Sequence, residues 1–325
     1  MRTTIYTSKP FAAPSALTML SRHQLEMMTK KLERPFKALL DDEQIEAPRE
    51  AAEMLSNLYL PIADWLIKRG TTSPHFIGIN GAQGSGKSTL CKILELILSE
   101  GFGKRVATLS IDDLYLTRAE RVTLAKTVHP LLITRGVPGT HDIDLGLQLF
   151  QQLRKKHGSV KLPLFDKTLD DRADESNWPC IDLPVDMVLF EGWCVGTKPQ
   201  AETELAAPIN ALERDEDGDG QWRHYVNRQL SQHYPALFEQ LHTLVMLEIP
   251  DLGKVMEWRS LQEQKLRQQK GDHHHVMDET AIKHFIMHYE RLTRANLIEM
   301  PQRADLLLKL DEQHQISEIS TCIAR

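Results

Sequence analysis

The chain has 325 residues, which is enough for one large α/β domain or for two smaller ones. Its hydrophobic fraction of 41% and charged fraction of 26% are ordinary for a globular protein, and its net charge of −6 argues against a general nucleic-acid or anionic-membrane surface. We expect neither a signal peptide nor a membrane span, because the necessary apolar segments are missing. The four cysteines show no C-x-x-C spacing, which predicts a reduced, cytoplasmic protein without a zinc site.

The first part of the chain, residues 1–74, is predicted to be a helical extension packed on the core. Apolar residues recur at helical spacing from Leu17 to Leu32 and again from Leu55 to Leu66. The polar stretch 41–49 between these two segments is predicted to be a linker. Helices that cover one side of the core are the expected role of this extension.

A glycine-rich segment follows the first predicted strand, an apolar run at 75–80. The segment reads Gly-Ala-Gln-Gly-Ser-Gly-Lys-Ser, which fits the phosphate-loop pattern G-x-x-x-x-G-K-[ST], and apolar residues at helical spacing come after it. A strand, a glycine turn and a helix N-terminus place several backbone N–H groups around one anion. The sequence therefore predicts a nucleoside triphosphate site built from Gly81, Ala82, Gln83, Gly84, Ser85, Gly86, Lys87, Ser88 and Thr89.

Four further strands are predicted at 105–111, 186–190, 243–249 and 305–310. Helical patterns separate several of them, which favours a parallel sheet covered on both faces. We predict an α/β P-loop NTPase fold with three layers and a mostly parallel five-stranded sheet, plus the N-terminal helical extension. In such sheets the ligand binds beyond the carboxyl ends of the strands.

Carboxylates follow two of these strands. Asp112 and Asp113 come after the second strand, where a base must lie to accept a proton from an attacking hydroxyl group. Asp112 is the preferred candidate, Asp113 the less favoured one, and capping of a helix is the competing explanation. Glu191 ends the third strand and is expected to hold Mg²⁺ together with Ser88, with a structural ion pair as the alternative.

A long polar segment, called the excursion below, lies between the second and third predicted strands. It contains many charged residues, and its apolar residues do not recur at a regular spacing. Arginine gives bidentate contacts to a carboxylate and lysine a point charge, so the excursion suits a small polar or anionic acceptor. An ordinary charged surface loop is the alternative. The candidate acceptor residues are Arg135, His141, Asp142, Lys167 and Arg172.

Two arginines later in the chain are further candidates. Arg259 follows the fourth strand and is expected to stabilise charge during phosphoryl transfer. Arg291 belongs to the last helical stretch, where the apolar face leaves it free for ligand or solvent. We count Arg259 among the catalytic candidates and Arg291 among the acceptor-binding ones.

Several of these motifs resemble a known family. The phosphate loop, Asp-Asp-Leu-Tyr at 112–115 and Phe-Glu-Gly at 190–192 resemble the phosphoribulokinase, uridine kinase and pantothenate kinase superfamily. Within it, the more specific motifs at 136–142, 165–174, 191–193 and 258–259 resemble plant-type D-glycerate 3-kinase and its bacterial and yeast relatives, over roughly residues 50–310. This resemblance implies a base role for Asp112, phosphate binding by Lys87 and metal binding by Ser88 and Glu191. We predict a P-loop kinase domain at 75–325 with an acceptor-binding insertion at about 116–183.

The expected activity is transfer of the γ-phosphoryl group of ATP, with Mg²⁺, to a hydroxyl group of a small acceptor, with D-glycerate placed first. A kinase of a pantothenate-like or nucleoside-like acceptor is one alternative, and a nucleotide-dependent regulatory ATPase is another. A nucleoside site would need stacking aromatic residues, which the excursion mostly lacks, and no Asn-Lys-x-Asp stretch supports a GTPase. Neither nucleic acid nor membrane is an expected partner, and the oligomeric state stays open.

Overall fold

The computed structural model describes residues 2–7, 17–43, 45, 50–258, 260 and 279–322. Its strands are β1 (Arg2–Thr7), β2 (His75–Gly81), β3 (Val106–Ser110), β4 (Ser159–Lys161), β5 (Phe165–Asp166), β6 (Asp171–Arg172), β7 (Cys180–Asp182), β8 (Met187–Gly192), β9 (Thr243–Glu248), β10 (Leu306–Leu310) and β11 (Ile316–Cys322). Its helices are α1 (Arg22–Asp42), α2 (Ala51–Met54), α3 (Leu60–Arg69), α4 (Lys87–Leu96), α5 (Arg118–Thr127), α6 (Ile143–Leu153), α7 (Glu202–Leu205), α8 (Ala211–Glu216), α9 (Gln221–Gln232), α10 (Pro235–Phe238), α11 (252–258) and α12 (Glu279–Glu299). π-helical turns at Leu55–Tyr59 and Ile97–Gly101 continue α2 into α3 and extend α4.

A seven-stranded sheet forms the centre of the fold, in the order β1-β11-β10-β9-β2-β8-β3. The five strands from β10 to β3 are parallel, and they are the five strands that the sequence predicted. The antiparallel strands β11 and β1 extend the sheet beyond β10. The three-layer, mostly parallel fold is confirmed, whereas the predicted strand count of five was too low by these two edge strands.

Alternate side chains of the central strands face opposite layers of helices. Ile77 of β2 and Leu189 of β8 belong to a buried cluster that includes residues of α1, α3 and α4. Their chain neighbours Phe76 and Phe190 belong to a second cluster with residues of α6, α9 and α10. This alternation is what strand geometry requires, and both faces of the parallel sheet are covered.

The N-terminal helix α1 packs beside α4, the helix that follows the glycine-rich loop. Ser21 caps it in a reciprocal arrangement with Gln24, which satisfies N–H groups of its first turn. Leu32, Phe36 and Leu40 are its buried residues, and burial of each such side chain contributes about 1.5–3 kcal/mol. The expectation of helices throughout the extension was wrong for residues 2–7, because these residues form β1. The division at 74/75 stays a prediction.

The excursion between β3 and β8 contains α5, α6 and two small antiparallel pairs, β4 with β7 and β5 with β6. In the second pair Phe165 lies opposite Arg172, and the connecting turn carries Lys167 and Asp170. Asp170 has a positive φ of 55°, a conformation that aspartate tolerates in tight turns. This β5–β6 hairpin brings charged residues toward the carboxyl end of β3. Within the described ranges, no helix has the length and apolar character needed to cross a bilayer.

Candidate active site

The glycine-rich loop, defined by its sequence motif as residues 81–89, joins the end of β2 to the first turn of α4. Gly84 and Gly86 have positive φ angles of 75° and 86°, which glycine adopts without steric cost. A Cβ atom on Gly81 would lie 2.6 Å from the Ser85 hydroxyl oxygen, so this position also needs glycine. The N–H groups of the first turn of α4 precede the helical hydrogen-bond ladder, and they can therefore bind a phosphate anion.

Lys87 begins α4 and is 9% exposed. Its Nζ donates a hydrogen bond to the carbonyl oxygen of Ala82 at 3.0 Å, so the amine is folded over the loop. Burial lowers the pKa of this amine, and the carboxylates of Glu191 and Asp112 oppose that effect. The amine is thus within electrostatic range of the acids at the ends of β8 and β3.

Ser88 and Glu191, the predicted metal pair, lie together. The Ser88 hydroxyl donates to Glu191 Oε1 at 2.8 Å. Glu191 is in register with Ile79 of β2 and Ser110 of β3, which places it at the carboxyl end of the sheet. A hydroxyl and a carboxylate oxygen are the ligand types that Mg²⁺ takes from proteins. The donor set therefore fits this ion.

Two buried polar atoms of the loop have no hydrogen-bond partner among the described residues, namely Gln83 Nε2 and Ser85 Oγ. A buried polar group without a partner costs about 1–3 kcal/mol, so each such group needs an explanation. Both atoms can donate to phosphate oxygens. Together with the glycine conformations, they fit a loop that binds the phosphates of a nucleotide.

Asp112 lies on a short helical turn that follows β3 directly. A Cβ atom on Gly192 would lie 2.3 Å from Ile111 Cγ2, so glycine allows this turn to approach the end of β8. Asp112 Oδ1 accepts a hydrogen bond from the Tyr115 hydroxyl at 2.7 Å, and Oδ2 lies 2.9 Å from Lys167 Nζ. Burial raises the pKa of Asp112, but Lys167 and the Tyr115 hydrogen bond outweigh it and lower the pKa to about 2.

Asp113 has a different environment from its neighbour. Its Oδ1 accepts a hydrogen bond from the Phe165 backbone N–H at 3.0 Å, which ties it to the β5–β6 hairpin. Burial raises its pKa to about 6, and the charge of Asp112 adds to this effect although the Phe165 hydrogen bond opposes it. The two adjacent carboxyl groups thus titrate in different pH ranges, and both are mainly deprotonated at neutral pH.

His141 is 5% exposed, and its ring stacks on Tyr115 with centroids 4.8 Å apart. Its Nδ1 lies 2.6 Å from the hydroxyl oxygen of Tyr234, which also accepts the Gly139 N–H at 2.9 Å. We therefore assign Tyr234 O–H as the donor to His141 Nδ1, and the imidazole hydrogen to Nε2. Burial lowers the pKa of His141 to about 4, so the ring is neutral at neutral pH. Its Nε2 is buried without a partner in the described part of the chain.

Arg172 connects the hairpin to the start of α6. Its Nη2 donates to the Tyr115 carbonyl oxygen at 2.9 Å and to Asp142 Oδ2 at 3.1 Å. Asp142 caps α6 by accepting the Leu145 N–H at 2.9 Å. The Nε of Arg172 is buried and has no partner in the ranges described. Asp142 is thus engaged in structural contacts, whereas Arg172 keeps an N–H group for a ligand.

Arg135 pairs with the Asp170 carboxylate, and its guanidinium lies 5.3 Å from the centroid of the Phe165 ring. A second arginine, Arg121, is 1% exposed and also pairs with Asp170, at 3.0 Å. Arg121 further donates to the carbonyl oxygen of Ile133 at 2.7 Å. These contacts fix the turn of the hairpin, the segment that carries Lys167.

The last two candidates are arginines with different outcomes. Arg291 is buried and forms a bidentate pair with Glu213, at 2.7 Å and 2.6 Å. Two further N–H groups donate to the carbonyl oxygens of Glu204 and Ala207, both at 2.7 Å. The structure therefore gives Arg291 a packing role, and none of these contacts is with an acceptor candidate. Arg259 lies outside the described residues.

Two residues of the site were missed by the sequence reasoning. Tyr234 lies just after α9 and orients His141, but nothing in its local sequence indicates that contact. Trp193 donates its indole N–H to the carbonyl oxygen of Gly136 at 2.9 Å, which links the end of β8 to the excursion. The pattern Glu-Gly-Trp was noticed, yet the partner of the tryptophan was not predictable from spacing.

Comparison with known proteins places the chain among kinases, although no family model matches it. An uncharacterized kinase of Schizosaccharomyces pombe, mug58, is 36% identical over 225 residues, which are 66% of this chain and 78% of that protein. The chloroplastic D-glycerate 3-kinase of Arabidopsis thaliana is 30% identical over 302 residues, which are 84% of this chain and 62% of the plant protein. The chain belongs to the D-glycerate 3-kinase-like family of P-loop kinases.

A solved structure agrees with this membership. The D-glycerate 3-kinase from Cryptococcus neoformans is 25% identical, with a TM-score of 0.66 over 81% of this chain and 97% of that one. The predicted family is thereby confirmed. As a D-glycerate 3-kinase-like protein the chain is a P-loop phosphotransferase. Nucleotide binding by the residues at 81–89 stays a prediction.

Proposed function

We propose that the chain transfers the γ-phosphoryl group of ATP, with Mg²⁺, to a hydroxyl group of a small anionic acceptor, and that the acceptor is D-glycerate. One observation carries the proposal. The nucleotide loop and the excursion converge on Asp112, which pairs with Lys167 of the hairpin and lies within electrostatic range of Lys87. Two relatives named D-glycerate 3-kinase support the choice of acceptor.

The nucleotide side of the site holds and neutralises the triphosphate. Backbone N–H groups at the start of α4 bind phosphate oxygens, and Lys87 contacts the transferring group. Ser88 and Glu191 would hold Mg²⁺, which supplies neutralisation of phosphate charge when bound. The buried donors Gln83 Nε2 and Ser85 Oγ add hydrogen bonds that they otherwise lack.

The chemical step is an in-line displacement at phosphorus. The acceptor hydroxyl oxygen forms a bond to the γ-phosphorus, the bond from that phosphorus to the bridging oxygen of ADP breaks, and the hydroxyl proton goes to Asp112. ADP leaves with the electron pair of the broken bond. Catalysis rests mainly on positioning and on charge stabilisation, because phosphoryl transfer asks little covalent chemistry of the protein.

The acceptor side presents hydrogen-bond donors. His141 Nε2 and Arg172 Nε are buried without partners in the described residues, and Lys167 adds a positive charge at the mouth of the site. These groups suit a carboxylate or hydroxyl oxygen of a small acid. The aromatic rings of the site pack on one another, since Tyr115 stacks on His141 and meets Phe165 edge-on at 5.1 Å. That packing disfavours a nucleoside acceptor, which needs a free ring to stack on.

The test is a measurement of ADP release with Mg²⁺-ATP in the presence of D-glycerate, pantothenate or uridine, with Lys87→Ala as the blank. We expect strong stimulation by D-glycerate alone and a phosphoglycerate product identified by mass spectrometry. Stimulation by another acceptor would support the kinase activity but show that D-glycerate is not its substrate. A basal rate of ADP release that no acceptor changes would indicate a regulatory ATPase instead of a small-molecule kinase.

A further inference from the structure

The end of α1 reaches the nucleotide loop helix. Glu43 closes α1, and its backbone N–H donates to the carbonyl oxygens of Leu39 and Asp41. Its carboxylate contacts two residues of α4. Oε2 accepts a hydrogen bond from the Thr89 hydroxyl at 3.3 Å, and Oε1 pairs with Lys92. An acidic residue of the N-terminal extension thus lies against the helix whose first turn binds phosphate.

The two contacts engage a hydroxyl donor and a cation in the first two turns of α4. The Thr89 hydroxyl has one hydrogen, so it donates either to Glu43 or to a phosphate oxygen. Lys92 lies one turn further along α4, and its positive charge is neutralised by Glu43. An anionic ligand at the N-terminus of α4 therefore meets a neutral charge pair instead of a free Lys92 cation.

We propose that Glu43 is a positioning residue that lowers the affinity for the nucleotide, because it competes with the phosphates for the Thr89 hydroxyl and neutralises Lys92. The inference rests on the use of ATP in the proposed function, and it is independent of the acceptor. Nucleotide binding turns the Thr89 hydroxyl away from Glu43. The N-terminal extension thereby sets how tightly the loop holds ATP and how readily it releases ADP.

The packing of α1 lets Glu43 act without disturbing the rest of the helix. Leu32, Phe36 and Leu40 anchor α1 in the core, whereas the side chain of Glu43 is 21% exposed at the edge. A change of the Glu43 rotamer needs no movement of the buried residues. Because partly exposed charge pairs are weak, the effect on nucleotide affinity is expected to be about two- to fivefold.

The test compares Glu43→Gln with Glu33→Gln. Glu33 pairs with Lys37 on the same helix at 2.6 Å, about 15 Å along the axis from Glu43, so its substitution removes the same charge away from the loop. We measure the dissociation constant of the magnesium complex of adenylyl imidodiphosphate by calorimetry, without acceptor. Glu43→Gln should bind about two- to fivefold more tightly than wild type, and Glu33→Gln should bind like wild type.

A second comparison separates competition from a general change of the fold. Glu43→Gln introduced into Thr89→Val, which has no hydroxyl group to donate, should improve binding less than it does in the wild type. Unchanged or weaker binding by Glu43→Gln overturns the inference, and so does an equal gain in Glu33→Gln. A wild-type protein that binds no nucleotide overturns the inference together with the use of ATP. If nucleotide binds but no acceptor stimulates turnover, the acceptor proposal fails while the binding comparison still decides the role of Glu43.

Discussion

Lys167 Nζ lies 2.9 Å from Asp112 Oδ2, and this ion pair joins the turn of the β5–β6 hairpin to the end of β3. The side chain of Lys167 is 62% exposed while that of Asp112 is 28% exposed, so the pair lies at the mouth of the site. In the proposed reaction, the acceptor hydroxyl group would share Asp112 with Lys167. The pair therefore couples the charge on the proposed base to the occupancy of the acceptor side.

The first prediction concerns the proposed base. Asp112→Asn should reduce kcat by about 10²–10⁴-fold, because the amide cannot accept the hydroxyl proton. The dissociation constant of the nucleotide, measured by calorimetry, should change little, since the loop at 81–89 is untouched. An unchanged kcat would remove Asp112 from the base role. Lys87→Ala is the matched comparison, because it should impair both turnover and nucleotide binding.

The second prediction uses the different pKa values of the two neighbouring acids. A base must be deprotonated, so the rate falls as the pH falls through its pKa. With its pKa of about 2, Asp112 gives kcat/KM no decline of its own near pH 6, whereas Asp113 as base would halve the rate near its pKa of about 6. We expect wild type and Asp113→Asn to show the same pH profile between about pH 5 and about pH 8. A decline near pH 6 that Asp113→Asn abolishes would transfer the base role to Asp113.

The third prediction concerns the cation of the hairpin. Lys167→Met removes the charge that holds the pKa of Asp112 low, and burial then raises that pKa. The rate of this variant should begin to fall at a higher pH than that of the wild type as the solution is made more acidic. Its KM for the acceptor should rise about tenfold, whereas Lys167→Arg should restore much of the loss because it keeps the charge. Identical pH profiles in the two variants would contradict the coupling.

The fourth prediction concerns the buried imidazole. His141→Phe keeps a flat ring against Tyr115 but removes the Nε2 hydrogen-bond donor, so the KM for the acceptor should rise about 10- to 100-fold. The KM for ATP should stay near the wild-type value. Tyr234→Phe is the comparison, since it removes only the hydroxyl that orients the imidazole and should have the smaller effect. An acceptor KM that does not change in His141→Phe would exclude a contact with the acceptor.

The parts of this site that could be predicted are those that local sequence encodes. The loop from Gly81 to Thr89 needs glycine at particular backbone conformations, and Asp112 and Glu191 follow strands that are recognisable as apolar runs. The edge strand β1 was missed because its partner β11 lies at the other end of the chain. The strand β11 pairs with its neighbour β10, but its sequence Ile-Ser-Glu-Ile-Ser-Thr-Cys contains no apolar run. The orientation of His141 by Tyr234 spans 93 residues, and no spacing rule indicates such a contact.

Arg291 is a second case in which the sequence could not predict a contact. The sequence of a helix does not indicate whether solvent, a ligand or another part of the protein will contact a cation on it. Its partner Glu213 is fully buried and lies 78 residues away. The two oxygens of that carboxylate accept both hydrogen bonds of the pair, and two carbonyl groups accept two further hydrogen bonds from Arg291. The apolar face of α12 predicted that this arginine would be free. It is instead buried, and it pairs with a buried carboxylate.

The last prediction follows from this pair. Arg291→Ala leaves the Glu213 carboxylate buried without its cation, so the free energy of unfolding in urea should fall by about 3–5 kcal/mol. Arg294→Ala is the control on the same helix, because the exposed pair of Arg294 with Glu290 contributes about 0.3–0.5 kcal/mol. In the folded fraction of Arg291→Ala the KM for the acceptor should equal that of the wild type. A raised acceptor KM with an unchanged free energy of unfolding would instead indicate that Arg291 contacts the acceptor. Loss of a substrate contact raises KM without lowering stability, whereas loss of a packing contact does the opposite.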